Sequence, residues 1–161
     1  MNYYSFEIDG VKVGYFEYED RDGILYQRAC LAVNGERQEF PFWVKYLGTT
    51  ISAYKSGNGD YVSLPGDSEA VPSSALMLFL DKICTGDDLR LPVINEGSGE
   101  ISGEASFIRE GDKIQVLLDG KPDKHFILQG GRIVEFGWGG QAVSRLMPSK
   151  EAAVTGTAWA E

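Results

Sequence analysis

The sequence is poor in the residues on which most catalytic and metal-binding chemistry depends. Among 161 residues there are one histidine, His125, and two cysteines, Cys30 and Cys84. One imidazole cannot build a histidine-rich metal centre, and the cysteines stand too far apart for a C-x-x-C zinc or redox motif. Two buried free thiols are the expectation. No Gly-x-Ser-x-Gly elbow is present, and Gly97-Ser98-Gly99 reads as a turn, so a hydrolase triad has no anchor. Gly57-Asn58-Gly59 and Gly137-Trp138-Gly139-Gly140 lack the strand-then-helix context of a dinucleotide or phosphate loop and read as turns as well. Asp20-Arg21-Asp22-Gly23 and Asp87-Asp88 do not supply the fixed oxygen offsets of a calcium loop. No metal and no cofactor is implied.

Positive charge is also scarce. Fifteen Lys and Arg face 24 Asp and Glu, a formal net charge of −9, and form no basic run. A phosphate backbone is repelled by such a field, which argues against a nucleic-acid partner. The longest apolar run, Ala75 to Leu80, falls far short of the roughly 20 residues a spanning helix requires. Met1-Asn2-Tyr3-Tyr4-Ser5-Phe6-Glu7 shows no basic segment followed by an apolar one, so the cytoplasm is the default compartment, with the periplasm as the alternative if a signal has been removed.

What the chain does have is aromatic residues, 8 Tyr, 8 Phe and 3 Trp, and a regular succession of turn signals. Asp9-Gly10, Asp20-Arg21-Asp22-Gly23, Asn34-Gly35 and Ser56-Gly57-Asn58-Gly59-Asp60 divide the first half into five strand-like segments: 3–8, 11–19, 24–33, 37–47 and 50–55. Segment 73–84 breaks the pattern with strong helix formers, apolar nearly all round, so it is expected to be a buried helix. Pro72 precedes it, Ser73 or Ser74 is the expected cap, and Gly86 stands at the left-handed position beyond its end. A second meander follows over 99–109, 113–119, 124–129 and 132–138. The expected fold is mainly β (α+β): a curved antiparallel sheet or open half-barrel of about nine strands around one central helix, in the order β(5)-α-β(4). Residues 1–148 form one domain, and 149–161 are expected to be a flexible tail.

Segment 40–46 is apolar on both sides of its strand, and Phe136-Gly137-Trp138 continues the theme. Two readings stay open, a packed core or the walls of a concave pocket. On the second reading Tyr15, Tyr26, Trp43, Tyr46, Phe79, Phe136 and Trp138 line the pocket, with Arg28, Arg109, His125 or Glu135 at its mouth. His125 itself reads either as a solvated surface imidazole, since it alternates with Phe126, or as a general base tuned by a carboxylate.

Phe6-Glu7-Ile8-Asp9-Gly10-Val11-Lys12-Val13-Gly14-Tyr15 and the Pro72-Ser73-Ser74-Ala75-Leu76 helix start resemble the lipoprotein-carrier-like half-barrels, the superfamily that includes glycolipid-binding proteins. The resemblance implies a curved sheet wrapped around a helical lid, holding acyl chains or other apolar molecules between them. A violacein-pathway branch of that fold is similar but uses the cavity to steer a reactive intermediate. Three functions follow as expectations: binding of a hydrophobic or amphipathic small molecule without catalysis; a metal-free cyclase or isomerase using the same cavity; or an interaction protein pairing through sheet edges, for which a homodimer is the simplest form.

Overall fold

The computed structural model describes residues 1–160 and, for Val33, the backbone alone. The first strands are β1 (Asn2–Ile8), β2 (Val11–Arg21), β3 (Ile24–Val33), β4 (Glu36–Leu47), β5 (Thr50–Ser56), β6 (Val62–Ser63) and β7 (Val71–Pro72). A 3-10 segment, Ser73–Phe79, runs into helix α1 (Leu80–Cys84). Then come β8 (Leu91–Ile94), β9 (Ile101–Glu110), β10 (Lys113–Leu118), β11 (Lys121–Gln129), β12 (Arg132–Gly137), β13 (Ala142–Met147) and helix α2 (Lys150–Val154).

The turns behave as their residues require. Asp9 and Gly10 have φ of 51° and 78°, and Asn34 and Gly35 have 55° and 79°, both positive as a two-residue type I′ hairpin demands. Five long strands therefore follow one another as hairpins, within a residue or two of their expected limits.

All thirteen strands belong to one curved, open sheet, in the spatial order β6-β5-β4-β3-β2-β1-β13-β12-β11-β10-β9-β8-β7. The chain starts in the middle and works outwards to β6. It then crosses to the opposite edge at β7 and works back until β13 pairs antiparallel with β1. Every strand neighbour but β1 and β13 is thus adjacent in sequence, the connectivity of an up-and-down barrel left open between β6 and β7. The 73–84 segment enters at that seam, joining β7 to β8, which pair in parallel.

The sheet has thirteen strands where about nine are expected, and the order is β(7)-α-β(6) followed by a second helix. The added strands explain themselves. β6 and β7 are two residues each and β8 four, too short to display a period of two, and Pro92 interrupts β8. β13 follows Gly139-Gly140, where the strand signal fades, and its place between β1 and β12 is fixed by closure of the two meanders on each other. The segment expected to be a tail instead carries α2, whose N-terminus Ser149 caps through its side chain, accepting from the Ala152 N–H at 3.1 Å. Glu161, the last residue of that segment, lies outside the described residues.

Alternation divides the strands between two faces. The concave face carries Tyr4, Phe6, Phe16, Leu25, Phe42, Val44, Ile114, Val116, Phe126 and Phe136, packed with Leu76, Met77, Phe79, Leu80 and Ile83 of the central helix into one core. The convex face holds a smaller cluster, Tyr15, Cys30 and Ala153, flanked by Tyr3, Met147, Val154 and Trp159, so that α2 and the residues after it cover the outside of β1 and β2.

The central helix differs from expectation in two respects. Its first seven residues are 3-10, and neither serine caps it by its side chain: the residue at the cap position is Pro72. The carboxylate of Glu96, from the turn after β8, does that work. Its Oε1 accepts the Ser74 N–H and its Oε2 the Ser73 hydroxyl, each at 2.7 Å. Two groups on the concave face tie down the same turn: Gln27 Nε2 donates to Ser74 O at 2.6 Å and Lys124 Nζ to Ser73 O at 3.0 Å. At the far end Arg109 donates to Cys84 O at 2.8 Å, and Gly86 has a φ of 97°, the left-handed residue expected there.

Candidate functional site

Where the central helix leaves the concave face, one end of the sheet remains uncovered and a cleft of about 640 Å³ opens. Its inner wall is apolar or aromatic, formed by Tyr4, Tyr18, Leu128 and Ile133 of the sheet and by Met77, Leu78 and Leu80 of the helix. Its rim is charged: Asp20 at the end of β2, Asp81 on α1, Asp112 in the β9–β10 turn, Arg109 of β9 and Arg132 of β12.

The tyrosines are held by that surrounding. Tyr4 donates its hydroxyl to Ile133 O at 2.8 Å and packs edge-on against Phe16 and Phe136. Burial pushes its phenol up to about 12, against the pull of Arg132. Tyr46 donates to Asp20, and burial followed by that hydrogen bond raises its phenol to about 12. Tyr18 is raised further, first by burial and then by Asp20. All three therefore remain neutral hydroxyls over the physiological range.

A second opening, of about 410 Å³, lies along the seam. Ile51 of β5, Val71 of β7, Leu91 of β8 and Phe79 of the 3-10 segment line it, with Lys82 and Arg90 beside them. This gap accompanies the unclosed sheet, whose edge strands β6 and β7 do not pair with each other.

Of the ten residues proposed from sequence, the structure brings two, Tyr46 and Arg109, to the larger cleft, and Phe79 to the seam. Phe136 and Trp138 lie on the concave face but inside an interlocked aromatic core. Their rings stack at 5.2 Å, Phe16 lies 5.0 and 4.9 Å from them, Phe126 lies 5.7 Å from Phe136, and Trp138 donates to Ser144 Oγ at 2.9 Å. For these two the core reading describes their surroundings.

Tyr15, Tyr26, Arg28, Trp43 and His125 face outward on the convex side, away from the helix. There Arg28 bonds Glu17 at 3.0 Å and Tyr15 at 3.2 Å, while Tyr26 donates to Glu17 at 2.9 Å. Trp43 packs against Tyr26 at 5.4 Å and beneath the Lys55 ammonium at 4.2 Å. His125 Nε2 lies 2.7 Å from Glu135 Oε2, and Arg145 links that carboxylate to Glu7 with bonds of 3.1 and 2.8 Å. Aromatic strands with two apolar faces thus arise in β1 and β2 from two layers, the helix inside and the C-terminal strap outside, and in β4 from Trp43 packing on Tyr26 and beneath Lys55 on the convex face. Parity along each strand carries this information for pairs such as Phe42 and Trp43, but only the fold says which parity faces the helix.

The cleft residues that sequence reasoning missed are Tyr18, Asp20, Asp81, Asp112 and Arg132. No motif points from them to this site: Asp20 belongs in the sequence to the Asp20-Arg21-Asp22-Gly23 turn, Tyr18 lies within β2, and the others stand at a strand start, in a turn or on the helix, so they meet only because the rim of the sheet curves round α1. Both cysteines are free, Cys30 buried and Cys84 half-buried at the cleft. Burial raises the Cys30 thiol to about 11, which leaves it protonated and unreactive at neutral pH. Among the described residues no group of His, Cys, Asp and Glu is arranged to hold a metal ion, and no helix is long and apolar enough to cross a membrane. Comparison with known protein families, curated proteins and solved structures finds no match to this chain.

Proposed function

We propose that this protein binds a hydrophobic or amphipathic small molecule in the cleft between the concave face of the sheet and the central helix. The observation that carries the proposal is an opening of about 640 Å³ with an apolar inner wall and a charged rim. Its size lies within the roughly 300–1,000 Å³ typical of small-molecule sites, and its chemistry divides as an amphipathic guest requires. The resemblance read from the sequence to lipid-holding half-barrels points the same way, and the open curved sheet around a buried helix is consistent with it.

The enzyme alternative requires a proton-moving group at the guest. His125 and Glu135 stand on the convex face, across the sheet from the cleft, and the buried carboxylate Glu17 is engaged there with Arg28 and Tyr26. The carboxylates that do reach the cleft, Asp20, Asp81 and Asp112, stand exposed at its rim, so binding is the reading the geometry supports better.

Native mass spectrometry of protein purified from its source tests the proposal. The unaltered protein should retain an apolar molecule, and Leu78→Trp, which fills the cleft from a half-buried position, should lose it. Trp43→Ala should leave retention unchanged, since Trp43 lies on the opposite face. An unaltered protein that retains no apolar molecule and is not stabilised by any amphiphile overturns the reading.

A further inference from the structure

Asn or Asp precedes glycine at five places in the chain: Asp9-Gly10, Asp22-Gly23, Asn34-Gly35, Asn58-Gly59 and Asp119-Gly120. Such pairs are chemically labile, because a glycine nitrogen, unshielded by a side chain of its own, can attack the side-chain carbonyl carbon of the residue before it. Four of the five share one conformation. Asp9, Asp22, Asn34 and Asp119 have φ of 51°, 54°, 55° and 51°, and among the described residues they are the only non-glycines with positive φ. Asn58 is the exception.

Conformation decides whether the attack can occur. The first central residue of a type I′ turn has ψ near about 30°, which places the next nitrogen across the Cα–C bond from Cβ. The two groups that must join are then held apart, whatever their exposure. Asn34 is exposed, yet its turn closes two strands paired from Ile24 with Lys45 to Val33 with Glu36, so it leaves the left-handed conformation only when that hairpin end opens. Asn58 is exposed as well, but its φ is not left-handed, and its loop joins the seven residues of β5 to the two of β6. The attacking nitrogen, that of Gly59, is held by a long bond to Ser56 O at 3.4 Å.

We infer that Asn58 is a site of spontaneous covalent modification, and that folding confines the reaction to it. The Gly59 nitrogen gives up its proton to hydroxide and bonds to Asn58 Cγ, while the Cγ–Nδ2 bond breaks and the side-chain nitrogen leaves as ammonia. The cyclic imide that results takes up one water at either carbonyl and opens to aspartate or isoaspartate. Overall one water is consumed, one ammonia is released, and one negative charge joins the −9 of the chain. The inference is independent of the binding proposed above. Asn58 follows Ser56, which pairs with Phe42, whereas the cleft residues Tyr46 and Gly48 lie towards the other end of β4 and β5. The new charge and, in isoaspartate, one added backbone carbon therefore enter the connection to β6 at the seam and leave the cleft as it is.

Incubation of the folded protein in mildly alkaline buffer, followed by peptide mass spectrometry with electron-transfer fragmentation, tests the inference. Residue 58 should gain one mass unit and show the isoaspartate fragments, while Asn34 should react on the order of tenfold more slowly, because its hairpin end must open first. In urea sufficient to unfold the chain the two should react at comparable rates, since only the fold separates them. Gly59→Ala should suppress the change at residue 58 and keep the melting temperature, because Gly59 has no left-handed φ and a Cβ there would lie 3.5 Å from Ser56 O, an ordinary contact. An Asn34 that reacts as fast as Asn58 in the folded protein, an Asn58 that stays intact, or a Gly59→Ala variant that changes at residue 58 as fast as the unaltered chain overturns the inference.

Discussion

At the scale of single residues, the sheet depends on positions where a side chain would not fit. Gly14 lies in β2 opposite Leu31, and a Cβ built there would sit 1.8 Å from the carbonyl oxygen of Cys30. The obstacle is backbone, which cannot rotate aside, so β2 and β3 would have to part. Gly14→Ala is therefore expected to destabilise the protein by about 3 kcal/mol, the upper end of overpacking effects; chemical denaturation would measure it, and a change below about 1 kcal/mol would show that the strands can shift. Gly137 is similar in kind but softer. A Cβ there would meet the His125 ring at 2.1 Å, so the imidazole lies flat over the glycine on its way to Glu135. Gly14 and Gly137 look like ordinary strand glycines in the sequence, because the groups that press on them come from another strand.

At the scale of elements, the central helix illustrates the division between local and remote information. That the central helix would be buried follows from its own composition, since the stretch from Leu76 to Leu80 is apolar nearly all round and has no wet face to offer, while Asp81 and Lys82 after it stay exposed. How it is capped does not follow, because the carboxylate comes from Glu96, more than twenty residues on. The serines suited to capping are present, but as donors to Glu96 instead of acceptors of the helix N–H groups. Glu96→Ala would leave the Ser74 N–H and Ser73 hydroxyl unmatched and should cost about 1–2 kcal/mol, as losses of a helix cap do. Thermal unfolding together with hydrogen exchange at Ser74 would report it. Unchanged protection there would mean that Gln27 and Lys124 hold the turn without Glu96.

At the scale of the whole molecule, folding withdraws six tyrosines from water: Tyr4, Tyr15, Tyr18, Tyr26, Tyr46 and Tyr54 all have raised phenol pKa values, with burial the leading cause in each. In the unfolded chain these groups ionise near about pH 10. Between that pH and their raised folded values the native state binds more protons than the unfolded state. The stabilisation they report is therefore complete below about pH 10 and is lost as pH rises through the folded values. Lys124 has the opposite sign, because burial lowers its pKa, so that its contribution to stability increases with pH up to the unfolded value near about 10.4. One ammonium against six phenols leaves a net loss. An alkaline titration should show most of the phenolate absorbance appearing in one step with the loss of β-sheet circular dichroism. A full phenolate signal with the sheet intact would contradict the burial described here.

The sequence by itself determined the class of the fold, the hairpin turns, the limits of most long strands and the burial of the central helix. Each of these is set within a few neighbouring residues: Asp9-Gly10 and Asn34-Gly35 by the positive φ they tolerate, β10 by alternation, the central helix by its apolar stretch from Leu76 to Leu80. Only the tertiary structure decided that β13 would pair with β1, that the two-residue strands β6 and β7 would become the edges of a seam, and that Trp43 and His125 would face away from the helix while Asp20, Asp81 and Tyr18 gather beside it. Those outcomes depend on how the two meanders close around the helix. Curvature brings together residues from the ends of strands far apart in the chain, and no local pattern of residues encodes which ends will meet.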